Sequence, residues 1–417
     1  MSSSPTPSER SGRWTINNTS KVLALAFFLL LVTQFLSLRH KDARSILQFP
    51  SSNTNIAPAI DISKNISASA NFYFPVEQSG KWYCTREGEV DRDYNEWTTG
   101  NFTDEDTLCA AHRQATRPIS KGVIPRIAFM FITRGRISVE PIWRKFFQGN
   151  EDKYSIYVHA TDSKFQFPED SIFHGKTVPS RPLKRYEISF PEAVRRILAF
   201  ALLDSNSSNA WFTLLCESSI PIRSFAFTYE YLINSHLSFV EGFYTSSEWW
   251  RTQWNSTAEE AVPDRFMRKG EAWITVHRRH AGLIVGDRWI FDKFKHHWAN
   301  WGIPSEIYIP TMFAATDPLA IANHTVMYVD WATTSKGGHP MMFNETTISP
   351  AVIQKIQNQT RNTDGFYYID RHWEYRNQET CIYNGQPDSP CFLFARKFSG
   401  GSPTIKAVLD IAPVIGY

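Results

Sequence analysis

The chain has 417 residues, 42% of them hydrophobic and 14% aromatic, enough apolar material for one large core or two smaller ones. Forty-four basic against 41 acidic side chains leave a formal charge of +3, too small and too evenly spread for a protein that binds a phosphate backbone, so nucleic acid is disfavoured as a partner. Fourteen Trp and 30 Phe are many for this length; most suit core packing, and the rest suit stacking on sugar rings.

The first element is the run Val22 to Leu38, whose only polar members are Thr33, Gln34 and Ser37. It sits at the lower limit for a bilayer span. Arg10, Arg13 and Lys21 precede it and Arg39, Lys41 and Arg44 follow, so basic residues do not fix its orientation. No small-x-small cleavage site comes after it, which favours an uncleaved signal anchor. Asn-x-Ser/Thr sequons at Asn65, Asn101, Asn206, Asn255, Asn323, Asn344 and Asn358 place the body in the lumen and residues 1–21 in the cytosol. The spacings Cys84 to Cys109 and Cys381 to Cys391 suit local disulfides in an oxidising compartment. Cys216, inside an apolar run, reads as a buried free thiol, and no Cys/His spacing suits a metal.

Residues 39–120 are polar, Pro-containing and without sustained period, and are expected to form a stem; the body is expected to span 121–417. It opens with a strand at Arg126 to Thr133, a helix entered at Pro141 and a second strand at Tyr154 to His159. A further helix starts at Pro191, with Val194, Ile197, Leu198, Ala201 and Leu202 on one face, and Trp211 to Cys216 is the next strand. Alternating strands and helices predict an α/β fold with a Rossmann-like parallel half. Ligands of such sheets bind beyond the carboxyl ends of the strands, which selects Thr133-Arg134-Gly135, His159-Ala160 and Glu217-Ser218-Ser219 as the donor edge. No P-loop or full GxGxxG accompanies them.

The ordered segments PRIAFMFITRG, KYSIYVHA, ALLD, LCESSIPI, YLINSHLSFVE, FMRKGEAW, VDW, HP and CFLFARKF resemble the plant branch of the core-2/I-branching β-1,6-N-acetylglucosaminyltransferase-like family over about residues 120–400. The resemblance implies a single-pass type II Golgi protein with a GT-A-like fold and inverting chemistry. Its donor would be a nucleotide sugar, read as UDP-linked, its acceptor a glycan, and its requirement for a divalent metal none. The Asp-x-Asp pairs Asp91/Asp93 and Asp104/Asp106 lie ahead of the first sheet strand, so fixed cations are expected to neutralise the leaving diphosphate. Arg396 and Lys397 are the candidates; they alternate along a strand, so only one is expected to reach the phosphate, and Lys397, which matches the diphosphate position of the family, is the expected one. Arg376 stands in for an arginine that relatives carry close before Cys381, where this chain has Glu379.

Inverting transfer needs a carboxylate to take the acceptor hydroxyl proton. Relatives carry Asp-Glu-His-Tyr there and this chain carries Ser305-Glu306-Ile307-Tyr308, leaving Glu306 as the expected base. Lys269, Gly270, Trp273, Asp330 and Trp331 are the acceptor-side candidates. His159 is expected to serve through its backbone, and His277, His280, His296 and His297 to be solvated. The changes at Ser305, Ile307 and Glu379 leave a catalytically silent lumenal scaffold or glycan-binding protein with the same fold as the alternative; a glycoside hydrolase would need a second carboxylate comparable with Glu306.

Overall fold

The computed structural model describes residues 92–417 apart from 185–186, 206, 245–261, 298–302, 332–338, 363–364, 370–371 and 377–378. The anchor run, Asn65, Cys84, Asn206 and Asn255 lie outside the described residues. Among the described residues no helix is long and apolar enough to cross a membrane.

Two helices precede the sheet. In α1 (Tyr94–Thr99) the Asp93 side chain caps the first turn, and α2 (Asp104–Thr116) opens with a capping box between Thr103 and Asp106. Trp97 on α1 and Cys109, Ala110 and Ala111 on α2 are buried. The folded body therefore reaches back at least to Tyr94, ahead of the boundary at 120/121 drawn from composition. These helices are short and mostly polar, so their few apolar positions set up no sustained period. Cys109 is disulfide-bonded to a partner outside the described residues, and Cys381 is bonded to Cys391.

The main sheet is built from β1 (Arg126–Thr133), β2 (Tyr154–Ala160) and β3 (Asn209–Cys216), all parallel. A later strand, β5 (Thr275–His277), adds antiparallel to β3, for the order β2-β1-β3-β5. The crossovers are α3 (Glu140–Phe147), entered through Pro141, and α4 (Ser189–Leu203). They cover opposite faces, which is why β1 to β3 read as unbroken apolar runs. Phe129 and Phe131 pack against Trp143 of α3, and Phe129 also meets Phe146 and Phe147. On the other face, the Tyr157 hydroxyl donates to Asp204 at the end of α4 (2.7 Å).

A second, three-stranded sheet holds β4 (Ile220–Pro221), β6 (Met327–Val329) and β9 (Phe394–Arg396) in the order β4-β9-β6. It is tied to the first by the Phe398 amide, which donates to the Ser218 carbonyl just past β3 (2.9 Å). Between β4 and β6 run α5 (Phe225–Ile233), α6 (Arg278–Gly286), α7 (Trp289–His297), a 3-10 turn at Pro304–Glu306 and α8 (Tyr308–Thr316). After β6 come α9 (Pro350–Gln357), the hairpin β7 (Gly365–Ile369) and β8 (His372–Arg376), and, beyond β9, α10 (Ser402–Asp410) and α11 (Ala412–Ile415).

One expectation fails on burial. His280 is fully buried in α6: its Nδ1 lies 2.7 Å from Ser238 Oγ and its Nε2 3.1 Å from Asp317, while His277 stacks on it with ring centres 4.1 Å apart. Burial first, then the hydrogen bond to Asp317 working against it, leaves the His280 pKa below its ordinary value. Arg279 beside it in sequence reaches the same Asp317 oxygen, 2.5 Å away, so the basic stretch here serves a buried polar cluster and not a solvated face. His296 is exposed as expected, and the side chain of His297 lies outside the described residues.

Candidate active site

The carboxyl ends of β1, β2 and β3 lie side by side, because the register pairs Thr133 with Ala160 and Ile132 with Cys216. Thr133 is buried and closes its own turn: Oγ1 donates to the Gly135 carbonyl (2.8 Å) and accepts from the Gly135 amide (3.1 Å). His159 is also buried. Its Nε2 accepts from the Arg181 amide (3.3 Å) and lies 3.3 Å from an Arg196 nitrogen, and burial, then the Arg196 charge, lowers its pKa to about 4. The imidazole is thus neutral and packed within the fold, leaving the chain around it to form the edge. Glu217 is half-buried at the end of β3, and Cys216 is a free, buried thiol.

The 3-10 turn and segment 268–273 form a second group, brought toward the first because the segment leads into β5, which pairs with β3. Glu306 Oε2 accepts from Lys269 Nζ at 2.5 Å, with side-chain exposures of 18% and 7%. Backbone contacts hold this geometry: the Gly270 amide donates to the Glu306 carbonyl (2.8 Å), and Phe243 and Lys269 exchange amide hydrogen bonds (2.7 and 2.9 Å). A Cβ on Gly270 would fall 1.9 Å from the Glu241 carbonyl oxygen, so only glycine permits this approach. Glu241 Oε2 accepts from the Glu271 amide (3.0 Å), and Glu271 Oε1 accepts from the Trp331 indole (2.7 Å). Arg396 lies 4.3 Å over the Trp273 ring, and its Nε is buried with no hydrogen-bond partner among the described atoms.

Three carboxylates therefore share a site with two cations. Burial, then the charges of Glu306 and Glu241, pushes the Glu271 pKa up to about 7, against the pull of Arg396 and Lys269. An arrangement of this kind can accept a proton from a hydroxyl and offer cationic charge to a phosphate.

The structure gathers Lys269, Gly270, Trp273, Glu306, Trp331 and Arg396. Lys397 follows Arg396 at the end of β9 and is half-buried, with its carbonyl accepting from the Phe343 amide (2.7 Å). Asp330 is half-buried beside Trp331, its carbonyl accepting from the Met341 amide (2.9 Å). Arg376 pairs with Gly365 in the hairpin, and its side chain lies outside the described residues. The Glu379 amide donates to Asn362 Oδ1 (2.7 Å). Among the sequons, Asn101, Asn323 and Asn358 are exposed and Asn344 is half-buried.

Glu241 and Glu271 were missed. Both sit inside segments that carry the resemblance, but a glutamate in a loop gives no signal of burial until its neighbours are known. The early acids have other partners: Asp93 caps α1, Asp106 belongs to a capping box, and Asp104 takes a two-pronged pair from Arg196 (3.0 and 2.7 Å). Among the described residues no group of three or more His, Cys, Asp or Glu is arranged to hold a metal ion.

A family model for the Core-2/I-Branching enzyme matches residues 127–357, more than half of the chain and all of the segment that builds the parallel sheet, the glutamate cluster and the indoles. The chain is also 29% identical over 308 residues to glycosyltransferase BC10 of Oryza sativa subsp. japonica, covering 66% of this chain and 74% of that protein.

Proposed function

The chain belongs to the Core-2/I-branching enzyme family and is a glycosyltransferase, and from that premise we propose that it moves a sugar from a nucleotide-sugar donor to a glycan acceptor with inversion. The observation that carries this reading is the gathering of Glu306, the two indoles and Arg396 around Glu271, near the carboxyl end of β3. The nucleotide lies along the turns after β1, β2 and β3, as in a GT-A-like fold. Its diphosphate faces the end of β9, where Arg396 and Lys397 supply fixed positive charge without a divalent ion. The acceptor ring stacks on Trp273 or Trp331, and its hydroxyl displaces Lys269 from one lobe of Glu306. Glu306 takes the hydroxyl proton as the oxygen attacks the anomeric carbon and the diphosphate leaves from the opposite face.

The donor proposed is UDP-linked N-acetylglucosamine or another hexose, and the setting a Golgi lumen reached by the anchor at Val22 to Leu38, with N-glycans on the exposed sequons. The test is transfer from a panel of nucleotide sugars by the full chain and by Glu306→Gln. The variant is expected to lose turnover by roughly 10²- to 10⁴-fold while retaining donor binding. Unchanged turnover would remove Glu306 from the role.

A further inference from the structure

We propose that Glu271, a buried positioning residue that accepts from the Trp331 indole and shares its charge cluster with Arg396, controls by its own proton how much positive charge the site offers to an anionic donor. The inference rests on the transferase reading above. Its geometry begins at Gly270, which packs so closely on the Glu241 backbone that a Cβ there would fall 1.9 Å from the Glu241 carbonyl oxygen. Glu271 is fixed at both ends: its amide donates to Glu241 and its carboxyl receives Trp331. The charged groups that face it are Glu306, Glu241, Arg396 and Lys269.

Lys269 is already engaged by Glu306 at 2.5 Å. Arg396 is placed differently: it lies over Trp273, and its buried Nε has no hydrogen-bond partner among the described atoms. A guanidinium in that position is available to a phosphate as long as no neighbouring carboxylate neutralises it. Glu271 is that neighbour. Carrying a proton, it leaves Arg396 its full field and still accepts the indole hydrogen bond. Ionised, it adds a third negative charge to the cluster and competes with the donor for the same cation. The burial that pushes its pKa to about 7 places this exchange in the neutral range.

UDP-N-acetylglucosamine is the suitable probe, because its diphosphate diester does not titrate near neutrality. Calorimetry on the full chain is expected to show its affinity falling by on the order of tenfold between pH 6 and 8. In Glu271→Gln, which keeps an oxygen for Trp331, the affinity is expected to stay flat over that range. An equal slope in both proteins would overturn the proposal. The second measurement needs no donor. Infrared difference spectra should contain a protonated-carboxyl band that titrates near pH 7, is absent from Glu271→Gln and persists to higher pH in Arg396→Gln. A band missing from the parent protein, or unmoved by Arg396→Gln, refutes the coupling. If no nucleotide sugar binds at any pH, the donor reading fails and the infrared result alone decides this assignment.

Discussion

Glu271 owes its raised pKa to burial and to Glu306 and Glu241 beside it. A carboxyl whose folded pKa is raised from 4.5 to about 7 binds its proton more tightly in the folded state than in the unfolded one. Between those two values the folded protein carries more protons, so stability falls as pH rises through that window and stays lower above it. The full effect is on the order of 3 kcal/mol, reduced by whatever relaxation the charged form allows. Glu271→Gln is therefore expected to melt at a higher temperature than the parent at pH 8 and at about the same temperature at pH 4. Equal melting temperatures at pH 8 would mean that Glu271 is solvated when ionised. His280 works in the opposite sense: its depressed pKa costs stability as pH falls below the ordinary histidine range.

Among the elements, β1, β2, β3, α3 and α4 could all be placed from periodicity, with boundaries within one or two residues. Their apolar pattern is long and continuous because both sheet faces are covered. The ends of these elements were harder, since they are joined by side chains without any periodic signature. Arg196 is the clearest case. It is one of two adjacent buried arginines on a mostly apolar helix, and it joins α4 to Asp104 of α2 while facing His159 at the end of β2. Burial works to raise the Asp104 pKa, but the hydrogen bond and charge of Arg196, with Arg181 adding to them, hold it below the usual carboxylate range. Arg196→Met is expected to cost about 2–3 kcal/mol, less than for a fully buried pair because Asp104 keeps contact with water. Thermal or urea unfolding would measure it. A loss below about 0.5 kcal/mol would show that α2 is held by apolar packing alone.

At the scale of the whole molecule, the two leading helices belong to the folded body, since Trp97, Ala110 and Ala111 lie in the same apolar cluster as the sheet. A chain begun at residue 121 is expected to expose that cluster and aggregate, whereas one begun ahead of Asp93 retains it; gel filtration and circular dichroism would separate the two. Soluble, helical protein from the shorter chain would restore the boundary drawn from composition. Sequence by itself determined the parallel α/β half, because strand alternation and helix periodicity are properties of neighbouring residues, and the donor edge and the base Glu306 are proposals drawn from it. Tertiary structure decided that Arg396 lies over Trp273, that Glu271 holds Trp331, and that His280 is buried. Each of these depends on residues tens to hundreds of positions apart, and burial, which sets both charge and hydrogen bonding, exists only once those distant segments have packed.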